Sequence, residues 1–313
     1  DATSAAIRLA RAYTGKDVIA VSGYHGWHDW YIGTTSRSLG VPKKVAQFTQ
    51  SFEFNNIESF KKLLSNNKNN VAGVMIEPES GVPANKNFLK ELRDITTKKN
   101  IVLIFDEIVT GFRVHFSGAQ AKYKIRPDLA CFGKSLANGM PLSVITGNKK
   151  IMQLMDDIFF SGTFNGEALS IAAGIATLKK LKNLDVTNEI IKHGKFIKKE
   201  IKILIRKNKL EGFIQITGEN WRPYFIIKNM DILVTTLFRQ TCIKYGILIC
   251  SGFNLSYSHL KPEVKKKFQI SFEKVFHEMN KILRSPNPKK YLKGELIKPI
   301  FEVRKTKPKK HEK

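Results

Sequence analysis

Two residues stand out for their chemistry. Asp106 follows the apolar run Ile101-Val102-Leu103-Ile104-Phe105, and Lys134 follows Leu129-Ala130-Cys131-Phe132 and a glycine. Short runs of that composition are strand candidates, and in parallel α/β sheets functional side chains collect at the carboxyl ends of strands. Taken singly, each has an ordinary reading: a lysine beside a glycine is commonly solvated, and a strand-end carboxylate commonly caps a helix. As a pair they suit one chemistry. An amine is a nucleophile for an aldehyde carbon, and a carboxylate keeps an aromatic ring nitrogen protonated, which makes the ring an electron sink. Burial near a cationic ring also lowers the lysine pKa toward the range where it serves as nucleophile and base.

The elements that must position this pair follow from the apolar pattern. Strand candidates are Asp17 to Val21, Val71 to Ile76, Ile101 to Phe105, Leu129 to Phe132 and Ser143 to Thr146. Continuous runs rich in β-branched residues fit strands buried on both faces, hence a mainly parallel sheet. Between them run amphipathic helices such as Ile57 to Leu64 and Phe88 to Thr97, the βα alternation of an α/β layer architecture. A helix from Ala2 to Ala12 precedes them, and one from Glu167 to Leu181 follows. The character then changes. A lysine-rich helix (Val186 to Arg206) leads to short strands near Phe213 to Ile216 and Tyr224 to Ile227. Next come a helix from Leu233 to Tyr245, a strand Ile247-Leu248-Ile249-Cys250 and a helix from Glu263 to Leu283. The expected organisation is a large α/β domain (1–184), a smaller C-terminal α+β domain (185–283) and a basic tail (284–313).

Composition narrows the function classes. With 313 residues, 42% of them hydrophobic, the chain can bury a large core. No run reaches the roughly 18 to 20 apolar residues of a membrane span, and Asp1 to Ala6 lacks the basic and apolar regions of a secretory leader. Cys131, Cys242 and Cys250 form no Cys-x-x-Cys pair, so neither a disulfide framework nor a metal site is expected, and they read as thiols of a cytoplasmic protein. The net charge of +26 invites a nucleic-acid partner. Its lysines, however, are scattered in pairs such as Lys61-Lys62 and Lys198-Lys199, with no interleaved aromatics to stack on bases. Neither nucleic acid nor membrane is expected as a partner. The proline-punctuated stretch from Pro286 to Lys313 reads as a strap or a disordered end.

The segment Asp106-Glu107-Ile108, Gly111-Phe112-Arg113, Pro127-Asp128-Leu129 and Gly133-Lys134-Ser135-Leu136-Ala137-Asn138-Gly139-Met140-Pro141-Leu142 resembles, in order and spacing, the attachment signature of class III aminotransferases, which use pyridoxal 5'-phosphate (PLP). The resemblance runs from Asp1 to about Leu181 and more weakly beyond. It implies a fold type I large domain, Lys134 as the Schiff-base lysine and Asp106 on the pyridine nitrogen. Tyr24 of Tyr24-His25-Gly26 would stack on the ring, Ile108 would cover the opposite face, and His25 would be structural or a supporting contact. Glu77, at the end of its strand, would lie near the substrate. Thr163 of Ser161-Gly162-Thr163-Phe164 would reach the cofactor phosphate of a neighbouring subunit, which implies a homodimer with shared sites. The family's phosphate turn would fall just before Asp1, where a helix N-terminus suits it; the chain opens without Met inside a helix, so an upstream segment is expected. Glu167 departs from the Asn-Pro that many relatives carry.

Two activities fit the resemblance: amino transfer between an amino acid or amine and a carbonyl compound, and internal amino exchange as in glutamate-1-semialdehyde 2,1-aminomutase. Tyr13-Thr14-Gly15-Lys16 and Tyr24-His25-Gly26 look like the aminomutase branch, while Glu167 and the aromatics Trp27, Trp30 and Tyr31 point away from it. Those aromatics are expected to narrow the mouth of the site, which favours transfer. A basic nucleic-acid-binding or scaffold protein on a degenerate PLP fold is the alternative of another class. Arg222 and Arg239 are candidates for a substrate carboxylate, and spacing singles out neither.

Overall fold

The computed structural model describes residues 1–79, 81–250 and 252–298. Their contacts divide the chain into two compact units, one of Asp1–Asn183 and one beginning at Leu184.

In the first unit six strands form one sheet in the order β2-β1-β3-β4-β5-β6. They are β1 (Val18–Ser22), β2 (Thr49–Ser51), β3 (Val71–Ile76), β4 (Val102–Asp106), β5 (Leu129–Phe132) and β6 (Val144–Gly147). Neighbours are parallel from β2 through β5, and β6 runs antiparallel to β5. The helices are α1 (Ala2–Thr14), α2 (Asp29–Ile32), α3 (Lys43–Gln47), α4 (Ile57–Asn66), α5 (Lys86–Lys98), α6 (Ala119–Tyr123), α7 (Lys149–Met152) and α8 (Ala168–Asn183).

The unbroken apolar runs have the cause expected of them. Alternate strand residues face opposite sides of a sheet. Val18, Ala20, Val74, Ile76, Leu103 and Phe105 pack with Phe60 of α4, with Phe88, Leu89 and Leu92 of α5 and with Tyr123 of α6. Ile19, Val21, Met75, Val102, Ile104, Leu129 and Cys131 pack on the other side with Ala6, Leu9 and Ala10 of α1. Both faces of β1, β3, β4 and β5 are covered, so those strands are apolar along most of their length. At Gly73 a Cβ would stand 3.1 Å from that of Ala10, and this glycine lets α1 lie close on the sheet. Asn56 and Asn85 cap α4 and α5 by accepting from Ser59 N and Asn87 N. Gly15, in the left-handed region at φ 65°, ends α1.

The second unit holds α9 (Val186–Lys207), the antiparallel pair β7 (Ile214–Thr217) and β8 (Tyr224–Ile227), α10 (Ile232–Lys244) and α11 (Pro262–Arg284). Its core includes Phe225, Phe238, Phe253, Phe268, Phe272 and Phe276, with ring centroids 4.8 to 6.4 Å apart. The expected strand Ile247 to Cys250 does not form. Those residues run as irregular chain, Leu248 is 91% exposed, and β8 meets the following segment through a single bridge at Gly252. An apolar run supplies strand-like side chains, but among the described residues no second strand pairs with it. The tail acts as a strap as far as it is described: Gln240 of α10 donates to Tyr291 O and accepts from Lys293 N, and Thr236 Oγ1 accepts from Ile297 N. The rest of the expected tail lies outside the described residues. Among the described residues no helix is long and apolar enough to cross a membrane.

Candidate active site

Because β1, β3, β4 and β5 are parallel, their carboxyl ends make one edge. Ser22 pairs with Ile76, Ile76 with Phe105, and Asp106 with Cys131. That register brings Gly23 to His25, Glu77, Asp106 to Ile108, and Gly133-Lys134 to consecutive positions along the edge.

Asp106 and His25 are both buried, and Asp106 Oδ2 lies 2.8 Å from His25 Nδ1. A proton on Nδ1 is the assignment that makes this contact attractive. Oδ1 accepts from Ile108 N at 3.1 Å. A buried carboxylate costs several kcal/mol unless donors compensate it, and here each oxygen has one while keeping further acceptor capacity. The histidine is fixed in turn: Thr3 Oγ1 donates to His25 O at 2.9 Å, and the edge of the Tyr31 ring packs on its imidazole. His25 Nε2 is buried and has no hydrogen-bond partner among the described residues.

Tyr24, which is 41% exposed, stands on the loop after β1. Its N–H donates to Glu77 Oε2 at 3.3 Å, and Tyr31 packs edge-on against its ring. Gly23, at φ 123°, leaves no room for a side chain, since a Cβ would lie 3.0 Å from Glu77 Oε2. Glu77 is buried and braces this loop. Two of the three aromatics expected at the mouth are elsewhere. Trp30 is buried and donates through Nε1 to Ser4 Oγ, and Tyr31 is buried and donates through its hydroxyl to Gly23 O at 2.7 Å. Their apolar bodies fill the space between α1 and the sheet, so they support the loop and do not narrow an opening. Trp27 alone of the three is exposed, at 75%.

Lys134 is exposed and opens a short helical turn, Lys134–Leu136, with its backbone at φ 44°. A Cβ on Gly133 would lie 3.0 Å from Ile108 Cδ1, so the isoleucine packs directly beside the lysine-bearing turn. Sequence reasoning passed over Glu107. Its buried carboxylate accepts from Thr110 Oγ1, Ala119 N and Gln120 N and so caps α6. Burial pushes its pKa up, against the effect of those bonds. Nothing local in the sequence announces a cap twelve residues from its helix.

The structure does not join Thr163 to this group. It lies on an exposed turn before α8, next to Phe164, and no hydrogen bond links it to Asp106 or His25 among the described residues. Glu167 is the helix cap of α8, accepting from Leu169 N and Ser170 N at 2.7 Å; the Ser170 side chain first, then those backbone bonds, lower its pKa. Arg222 and Arg239 belong to the second unit. All three cysteines are free thiols; burial holds Cys131 well above the usual range and pushes Cys242 up to about 12.

A family model described as aminotransferase class-III matches residues 1–219. A 3-aminobutyryl-CoA aminotransferase of Cloacimonas acidaminovorans is 35% identical over 236 residues, 73% of this chain and 56% of that protein. A glutamate-1-semialdehyde 2,1-aminomutase of Desulforamulus reducens is 38% identical over 303 residues, 87% of this chain and 70% of that protein. The chain thus spans between about half and about two thirds of the length of these relatives. Among solved structures, the FumI protein of Sphingopyxis sp. MTA144 superposes with a TM-score of 0.84 at 24% identity, over 92% of this chain and 70% of that one. An omega-transaminase from Sphaerobacter thermophilus gives 0.78 at 24%, over 90% and 72%. At such identities the likeness carries the fold.

Proposed function

Since the chain belongs to the class III aminotransferases, we propose that it serves PLP-dependent amino-group transfer between an amino acid or amine and a carbonyl compound. One observation carries the reading: a buried carboxylate, Asp106, held by an imidazole at the carboxyl edge of the sheet, on the strand beside the one that leads to Lys134.

The residues fit the cofactor. Asp106 has spare acceptor capacity beside its hydrogen bond with His25, so a protonated ring nitrogen would complete its environment. Tyr24 and Ile108 would cover the two ring faces, and Lys134 would hold the aldehyde carbon. The first turn of α1 is laced to the same place, through Thr3 to His25 O and through Cys131 Sγ to Ala2 O. Its free N–H groups suit the phosphate end. Bound there, PLP would supply an electron sink for the carbon that bears the transferred nitrogen. Asp106 would keep the ring nitrogen charged, and His25 would hold Asp106 in line. Lys134 Nζ would move the proton at the substrate carbon. Glu77, bonded to Tyr24 N, would act on substrate through the loop it braces.

A homodimer fits the exposed apolar side chains around Thr163, namely Phe159, Phe164, Leu169, Ile171 and Ile175. In a shared site Thr163 would serve the partner's phosphate. The free thiols suit the cytoplasm. The test is a spectrum of the protein with PLP and borohydride reduction followed by peptide mapping. We expect a yellow protein that bleaches and a label on Lys134; a label on another lysine refutes the assignment. No label at all favours a scaffold role for a degenerate fold.

Internal amino exchange is the second reading, favoured by aminomutase relatives at 32% to 38% identity and by the burial of Trp30 and Tyr31. A mutase retains its intermediate and needs one substrate, whereas a transferase releases a keto product and admits a second. Single turnover with glutamate semialdehyde decides: aminolevulinate formed with no free carbonyl product replaces transfer by exchange.

A further inference from the structure

We propose that Ser135 is a positioning residue for Lys134, its hydroxyl clasping the turn that carries the lysine to the loop that carries Asp106. The proposal rests on the functional reading above, which gives the placement of that amine its purpose.

Ser135 Oγ donates to Gly111 O at 3.1 Å. Gly111 lies on the loop that leaves Asp106, and it is pressed against the end of β5: a Cβ there would stand 2.7 Å from Phe132 Cδ1. The same two segments meet through Glu107 N and Cys131 O at 2.9 Å, and through the Phe112 and Phe132 rings with centroids 5.5 Å apart. The first of these contacts fixes the strand ends and the second the loop flank. Only the serine contact acts on the residue next to Lys134.

That position is where restraint is needed. At φ 44° Lys134 sits in the left-handed region, which a side chain with a Cβ disfavours. A backbone bond from Leu136 N to Gly133 O at 3.0 Å closes the turn. Without a tie on its far side the backbone relaxes toward negative φ. Relaxation rotates the Cα–Cβ bond of Lys134 and carries the amine away from its place relative to Asp106. A long side chain amplifies a small rotation at its root, so the clasp contributes to where Nζ can reach.

The test uses Ser135→Ala together with the shape-matched pair Ser135→Thr and Ser135→Val, in otherwise unchanged protein. The probe is pyridoxal, which has the aldehyde and the ring nitrogen but no phosphate, so the readout is independent of phosphate binding. Trapping by borohydride is followed at Lys134 by peptide mapping, as a rate and as a function of pH. Wild type and Ser135→Thr should agree within about twofold. Ser135→Ala and Ser135→Val should label Lys134 about tenfold more slowly, equivalent to ~1.4 kcal/mol, with a displaced pH midpoint and an unchanged far-ultraviolet spectrum. Equal rates and midpoints for the threonine and valine variants overturn the proposal, and that comparison stands even where the alanine variant is unstable. Failure of the functional reading has a different signature, the absence of label at Lys134 in wild type.

Discussion

Replacing His25 by phenylalanine tests the centre of the site. The substitution keeps a planar ring in a buried space but removes the Nδ1 donor 2.8 Å from Asp106 Oδ2. A hydrogen bond to a charged group contributes about 1.5 to 3 kcal/mol, and leaving a buried acceptor unmatched costs more than the bond is worth. The orphaned Nε2 disappears as well, which returns about 1 kcal/mol of desolvation. The balance is a loss of ~1 to 2 kcal/mol for the first unit. His25→Asn is the control, because its amide nitrogen can stand where Nδ1 stood and its oxygen does not reach the Nε2 position. The assay is urea unfolding followed by far-ultraviolet circular dichroism, beside PLP titration by absorbance. We expect the phenylalanine variant to be the less stable of the two by ~1 kcal/mol or more and to bind PLP several-fold more weakly. Equal stability and equal PLP affinity for the two variants would refute the view that His25 holds Asp106.

Asp106→Asn removes the charge while conserving shape, so PLP binding should weaken modestly while turnover falls about a hundredfold or more, ~2.7 kcal/mol of transition-state stabilisation; turnover within a few-fold of wild type counts against the role. His193 of α9 is buried, and burial first, then Lys265 and His259, lower its pKa to about 4. The unfolded chain takes up that proton near pH 6.5 while the native state refuses it, so stability is lost as pH falls between those values. The loss is up to ~2 kcal/mol between pH 7.5 and pH 5, and denaturant unfolding of His193→Phe should show a correspondingly flatter profile; an identical pH dependence in the variant defeats the attribution. Glu167→Ala deprives Leu169 N and Ser170 N of their acceptor and should fray the start of α8, read as faster hydrogen exchange in that turn than in the rest of the helix.

What could be read from the sequence follows the range of the physics involved. β3 and β5 were legible to the residue because a strand covered on both faces must be apolar throughout. β2 was not, since Thr49-Gln50-Ser51 is polar and becomes a strand only by pairing with β1. Ile247 to Cys250 is the reverse case, with strand-like side chains and no pairing strand among the described residues. The placement of Asp106 and Lys134 at neighbouring strand ends was legible because each follows a short apolar run. The bond between His25 and Asp106, 81 residues apart in sequence, was not, because only the strand order 1-3-4 brings them within reach. Trp30 and Tyr31 were misplaced for the same reason: the sequence shows that they follow Tyr24, and only packing decides that they point inward.

The position of β5 in the sheet has a consequence for how the site breathes. On one side it is bonded to β4, whose five residues are all buried; on the other it meets β6, a four-residue antiparallel edge strand open to solvent. Amide exchange should therefore rise steeply across a few ångströms, slowest at β4 and fastest at β6. Asp106 ends β4 on the rigid side of that gradient, and Lys134 follows β5, one strand nearer the compliant edge. In the proposed reaction the Lys134 amine would move between partners while Asp106 stays still, and the sheet divides its stiffness accordingly.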